Sequence, residues 1–291
     1  MGLFSWLKSK PKSNLPKIDV RKRFDLLNRT GQGSMSKVWR ARDKSLGRTV
    51  CLKLLDKGKT DKFEMRFVGL NKPREGAIST CLRHPNIVQT FEYGITTEGE
   101  PYVVMELIDG MGLNFLIETK SRQLEGNRIP FLAQMADALE YMHKQGFLHR
   151  DICPRNVMVT KENEVKLIDF GLTIPNRPEF LKPGNRTGTP NYLAPEVIRR
   201  TSTDHRVDLF ALGVTAYEVY TQNLPWEKAT SASLQTLLSH MNNAGKDPRE
   251  FCPKMDKLTA QFLIKAIERD PSLRFQTAAE FREALQRLPK A

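Results

Sequence analysis

The sequence predicts an α+β fold, with strands gathered early in the chain and helices after them. Two observations carry this. FDLLNR, SKVWRARD and TVCLKLL read as successive strands joined by turns, starting near Phe24. Further on the pattern turns helical: IPFLAQMADALEYMHKQG puts Ile129, Leu132, Ala136, Leu139 and His143 on one face, and Gly146 closes the helix. VDLFALGVTAYEVY is then apolar almost all round, as in a helix buried on every side.

At 291 residues the chain can bury a sizeable core, as one large domain or two lobes. Hydrophobic content of 40% and charged content of 27% are those of a globular protein. No apolar run approaches the roughly 18 residues that would span a membrane. GLFSWL is too short for a signal-peptide core, and a myristoylation signal would need Ser or Thr where Trp6 stands. Cys51, Cys81, Cys153 and Cys252 are scattered without a C-x-x-C pair, which predicts a reducing compartment and a cytoplasmic location.

The net charge of +13 is uneven. Residues 1–23 hold Lys8, Lys10, Lys12, Lys17, Arg21, Lys22 and Arg23 against Asp19 alone, with prolines and little periodicity. They read as a basic mobile tail. Its simplest reading is a solvated segment; the rival is that Leu3, Phe4, Trp6 and Leu7 dip into an anionic bilayer or a partner. No zinc finger or RRM signature points to nucleic acid.

Taken in order, the first two strands enclose Gly31 and Gly33, whose backbone N–H groups can approach phosphate oxygens without obstruction. A dinucleotide fingerprint would need a helix next, and Val38-Trp39-Arg40-Ala41 reads as strand instead. The third strand carries Lys53 inside an apolar run, where an unpaired ammonium would be costly, so an anionic partner is expected. Residues 57–73 read as an irregular insertion. YVVMELI (102–108) is a short apolar strand, and Asp109-Gly110-Met111-Gly112 a flexible connection. Residues 172–193, rich in Pro, Asn, Arg and Gly, read as a loop, and further helices are expected at about 231–243, 257–269 and 277–288.

His149 to Gly171, HRDICPRNVMVTKENEVKLIDFG, is the densest chemistry in the chain. Asp151, Asn156 and Asp169 cluster oxygen acceptors in an otherwise basic protein, and Mg²⁺ is held by one or two carboxylates plus substrate phosphates. A plainer reading is two acidic turns flanking a hairpin. The stretch resembles the H-R-D-x-x-x-x-N and D-F-G segments of the eukaryotic-type (Hanks-type) protein kinases. GTPNYLAPE resembles the segment closing their activation loops, and RDPSLRF their C-terminal region, in which Arg274 would pair with Glu196. The resemblance covers roughly residues 24–288 and extends to the bacterial eukaryotic-like Ser/Thr kinases.

The resemblance implies a bilobal kinase fold: a small antiparallel β-sheet lobe with one main helix (about 24–105), a hinge (about 106–110) and a larger, mostly helical lobe (about 111–288). It implies a Ser/Thr protein kinase that uses ATP and Mg²⁺ and acts on a protein hydroxyl. Lys53 would hold the nucleotide phosphates and Glu75, ten residues before Pro85 of HPNIV, would orient Lys53, with Glu64 as the fallback. Asp151 would be the catalytic base, Asn156 and Asp169 the metal ligands, and Asp208 a brace under the catalytic loop. Gly31 and Gly33 would cover the phosphates. Met105 would be the gatekeeper, Glu106 and Ile108 would bond adenine through backbone groups, and Val38, Cys51 and Met158 would sandwich the base. The Thr189 hydroxyl would contact Asp151, and Arg150 would receive a phosphate placed on the activation loop, with Thr187 as the candidate acceptor.

Three departures stand out. Ser36 occupies the third glycine position of the Gly-rich loop, and Cys153 the place where a Ser/Thr kinase usually has the γ-phosphate lysine. Arg155 precedes Asn156, where many kinases selecting basic substrates have Glu, so Arg-rich substrates are expected to be disfavoured and acidic ones tolerated. The rival functions are a pseudokinase scaffold and a small-molecule kinase.

Overall fold

The computed structural model describes residues 15–32, 36–184, 186–227 and 242–289. The chain divides into two compact units, Met1–Asp109 and Gly110–Ala291.

The first unit is built on a six-stranded sheet in the order β1-β5-β6-β4-β3-β2. Its strands are β1 (Lys17–Ile18), β2 (Phe24–Gln32), β3 (Ser36–Asp43), β4 (Arg48–Leu55), β5 (Thr90–Thr96) and β6 (Pro101–Met105). Side chains alternate between the two faces of a strand, and β4 shows the result. Val50 and Leu52 point into a buried cluster with Phe24, Ala41, Tyr102 and Val104. Cys51, Lys53 and Leu55 share the opposite face. The helices of this unit are α1 (Val20–Arg23), α2 (Lys57–Glu64) and α3 (Glu75–Cys81).

Two expectations are corrected here. The described part of the expected tail, residues 15–23, contains β1 and α1 rather than mobile chain. β1 pairs parallel with β5: Ile95 N–H donates to Pro16 O at 3.0 Å and Thr97 N–H to Ile18 O at 2.8 Å. Asp19 caps α1, and Arg23 pairs with Asp43 and Glu92. The insertion 57–73 is not irregular, since α2 and a 3-10 turn at Met65–Phe67 fill most of it. Asp56 caps α2 by accepting from Lys59 N–H, which fixes where that helix begins.

The second unit is mostly helical: α4 (Leu113–Glu118), α5 (Arg128–Lys144), α6 (Pro195–Ile198), α7 (Arg206–Thr221), α8 (Lys257–Ala266) and α9 (Ala278–Gln286). α5 buries Leu132, Ala136 and Leu139 together with Phe131, Met135, Ala138 and Met142. Gly146, at φ +78°, follows it in the left-handed conformation that ends helices. α7 is buried from Val207 through Tyr217, and a Cβ at Gly213 would strike the Ala266 carbonyl, so this glycine lets α7 and α8 touch. The helix expected at about 231–243 lies almost wholly outside the described residues.

A small sheet, β10-β9-β7, sits among these helices. Its strands are β7 (Gly110–Gly112), β9 (Val157–Thr160) and β10 (Val165–Leu167). Gly110–Gly112 is therefore a paired strand rather than a flexible connection, and Gly110 leaves room for the Val159 carbonyl. β8 (Phe147–Leu148) pairs with β11 (Ile174–Pro175) inside the stretch expected to be pure loop.

Candidate active site

In the first unit, the register of the sheet places the expected nucleotide-side residues on one face. Gly31 is opposite Val38, Val38 is opposite Lys53, and Cys51 is opposite Met105. Lys53 is 3% exposed, and its Nζ lies 2.6 Å from Glu75 Oε1, the first residue of α3. Glu64, the fallback, bonds Lys72 instead, at 2.9 Å. The Glu106 amide donates to Gln89 O at 2.9 Å, so any adenine contact from Glu106 would come through its carbonyl. Burial pushes the Cys51 thiol up to about 11, partly offset by Lys53. Gly33 lies outside the described residues.

In the second unit the catalytic stretch folds between β8 and β10. Asp151 binds two of the expected residues, Thr189 and Asn156. Its Oδ1 accepts from Thr189 N–H and Thr189 Oγ1, both at 2.8 Å. Asn156 Nδ2 donates to Asp151 Oδ2 and to the Asp151 carbonyl, both at 2.8 Å. That orientation leaves the Asn156 Oδ1 lone pairs without a donor among the described residues. Ile168 N–H donates to Asn156 O at 3.1 Å and so brings Asp169 alongside, where its Oδ1 caps Gly171 N–H at 2.9 Å. Met158 lies in β9 opposite Gly112 and Lys166.

Beneath the loop, fully buried Asp208 accepts from His149 N–H at 2.9 Å and Arg150 N–H at 2.8 Å. His143 Nε2 lies 2.9 Å from Oδ2, the oxygen that also accepts from His149 N–H. Burial alone would raise this carboxyl, but the His143 hydrogen bond and the neighbouring backbone N–H hold it below the usual range. It stays an anion. These bonds fix Arg150 at φ +69°, a strained conformation for a side chain of that size. Gly188, at φ +133°, lets the returning chain approach: a Cβ there would meet Arg150 O at 2.9 Å.

Burial lowers the His149 pKa, and its Nδ1 accepts from Asp151 N–H at 3.2 Å. The ring is therefore neutral with its proton on Nε2. Arg150 is 8% exposed, donates to Thr203 Oγ1 at 3.3 Å, and lines one small cavity with Asp151, Thr187 and Thr189. Cys153 Sγ lies 3.7 Å from Thr189 Oγ1, and burial, reinforced by Asp151, pushes its thiol up to about 12. The position therefore carries no charge.

Sequence reasoning gives His143 only a place on a helix face, His149 only a place in its motif, and Gly188 only a place beside Thr189 as a Ser/Thr-type pair. The one signal for His143 was its polarity on an otherwise apolar stripe six residues before His149. Glu196, expected to pair with Arg274, accepts from both guanidinium ends at 2.8 Å.

No group of three or more His, Cys, Asp or Glu side chains able to hold a metal occurs among the described residues. Asn156 and Asp169 together offer hard oxygen donors for a hydrated Mg²⁺ that completes its shell with phosphate oxygens and water, so the residues fit that ion.

Residues 24–287 match the family model described as the protein kinase domain. A probable serine/threonine-protein kinase of Clostridium perfringens is 32% identical over 92% of this chain and 38% of its own length. One of Streptomyces coelicolor is 32% identical over 89% of this chain and 39% of its own. Serine/threonine-protein kinase PknB of Mycobacterium tuberculosis is 33% identical over 91% of this chain and 43% of its own. The chain thus spans about two fifths of the length of these relatives.

Proposed function

The chain belongs to the protein kinase family, and from that premise we propose that it transfers the γ-phosphoryl group of ATP to Ser or Thr hydroxyls of proteins. One observation carries the reading: Asp151, Asn156 and Thr189 form a single hydrogen-bonded unit on a loop braced by Asp208. Phosphoryl transfer asks for alignment and charge neutralisation more than for covalent chemistry. In this reading Asp151 accepts the proton of the attacking hydroxyl, and Thr189 fixes the carboxylate that receives it. Lys53, held by Glu75, neutralises phosphate oxygens. Asn156 Oδ1 and Asp169 would hold Mg²⁺, whose contribution when bound is to neutralise charge on the phosphates.

Arg155 is exposed beside this unit and close enough to Tyr192 to act on it electrostatically. Its guanidinium makes no hydrogen bond or ion pair among the described residues, which supports substrates with acidic rather than Arg-rich flanks. Thr187, in one cavity wall with Arg150, is the proposed autophosphorylation site. The four cysteines are free, which supports a cytoplasmic setting. Among the described residues no helix is long and apolar enough to cross a membrane. Lys8, Lys10 and Lys12 would add electrostatic attraction to an anionic membrane.

The test is γ-labelled ATP with Mg²⁺ and a generic protein acceptor, followed by phosphoamino-acid analysis and a peptide array. Label on Ser or Thr supports the reading, and label on Tyr alone overturns the class. Strong preference for Arg upstream of the acceptor overturns the role given to Arg155.

A further inference from the structure

We propose that Lys72 is a positioning residue for Glu75: a clamp of Phe63, Glu64, Phe67 and Lys72 sets where α3 begins. Its kinetic consequence rests on the phosphotransfer reading above; its structural consequence does not.

The need for a clamp arises from the helix itself. α3 has only 7 residues, and its N-cap, Arg74, makes no side-chain capping bond. Helices this short are marginal by themselves, and their first turn is where fraying starts. Glu75 occupies that first turn, yet its carboxylate holds the Lys53 ammonium at 2.6 Å in a site where the two side chains are 4% and 11% exposed. Something outside α3 must fix its start.

The preceding chain supplies it. After the turn at Met65–Phe67, Gly69 at φ +82° and Asn71 at φ +51° reverse the direction and return Lys72 onto two rings. Phe63 and Phe67 meet edge to face with centroids 5.4 Å apart, and Lys72 Nζ lies 5.2 and 5.8 Å from them. The same ammonium donates to Glu64 Oε1 at 2.9 Å and to Pro73 O at 3.2 Å, and the Lys72 side chain is 1% exposed. An ammonium withdrawn this far from water is held by its partners, because losing them would leave the charge unsolvated. Pro73 stiffens the link to α3: its ring fixes its own φ and keeps Lys72 extended. From the clamp to Glu75 only Pro73 and Arg74 intervene. On the other side a Cβ at Gly76 would collide with the Tyr93 ring, so α3 is seated directly on β5. The first turn is gripped from both ends.

The test uses Lys72→Met, which keeps the chain length and removes the charge, and Lys72→Arg, which can still stack on the rings and reach Glu64. Amide exchange at Ile78, Ser79 and Thr80 should quicken about tenfold in Lys72→Met while β4 and β6 amides keep their rates. Phosphotransfer kcat should fall about tenfold with the KM for protein acceptor unchanged, and Lys72→Arg should restore it. In a Glu75→Gln background Lys72→Met should cost nothing further, because it acts through Glu75. Unchanged exchange in α3, or losses that multiply with Glu75→Gln, overturn the proposal. If Lys72→Met does not fold, Glu64→Gln carries the same expectations. A wild-type protein that exchanges as described but transfers no phosphate would sink the kinase reading and leave the clamp standing.

Discussion

Asn156 donates both of its amide hydrogens to Asp151, one to the carboxylate and one to the backbone carbonyl, each at 2.8 Å. The two residues that the motif separates by five positions thus form one rigid piece. Thr189 completes it from the far side of the activation segment, giving two bonds to the other carboxylate oxygen.

Thr189→Ala removes the hydroxyl bond to Asp151 and keeps the backbone one. A hydrogen bond to a charged group is worth about 1.5–3 kcal/mol, so kcat should fall roughly 10- to 100-fold. Thr189→Ser should retain most of the activity. Steady-state kinetics on the two variants checks this, and equal losses in both would contradict the role.

The Glu196–Arg274 pair is buried, with the side chains 10% and 0% exposed. Removing one partner strands the other charge, so Glu196→Gln should lower the unfolding free energy by about 3–5 kcal/mol. Urea denaturation measures it.

Much of this was legible in advance because the chemistry is local. The spacing of Asp151, Asn156 and Asp169 is set by one loop and one hairpin, and Lys53 stood out as a charge in an apolar strand. What stayed hidden depends on partners far away in the chain. Residues 15–23 look like tail by composition; they form β1 and α1 because Pro16 and Ile18 find the edge of β5 and Arg23 finds Glu92. Lys72 reads as one more solvated lysine until the turn at Gly69 and Asn71 lays it over Phe63. The role of Gly110 as a strand residue likewise comes from β9, not from its neighbours.

Asp43 is fully buried, and its carboxyl is lowered to about 2. Burial opposes that shift; the bonds from Arg23 and Ser45 outweigh it. A carboxyl that is more acidic in the folded state stabilises above its unfolded pKa near 4 and loses that contribution as pH falls towards 2. The contribution is about 2 kcal/mol. Asp43→Asn should therefore be less stable at pH 7 and show a flatter decline in stability from pH 4 to 2.

The thiols of Cys51 and Cys153 titrate at about 11 and 12, above the range where alkylating agents find thiolate at ordinary pH. Neither should react with iodoacetamide at pH 8 in the folded protein, and both should react in denaturant. Peptide mapping after timed alkylation gives the rates.

In the proposed reaction Asp151 performs the proton transfer while other residues hold nucleotide and metal. The most direct measurement is single-turnover transfer from Mg²⁺ and γ-labelled ATP in wild type and Asp151→Asn, with nucleotide affinity measured on the same samples. Wild type should transfer, and Asp151→Asn should bind ATP within about twofold of wild type but transfer at least 100-fold more slowly. Transfer at an undiminished rate in Asp151→Asn would contradict the account.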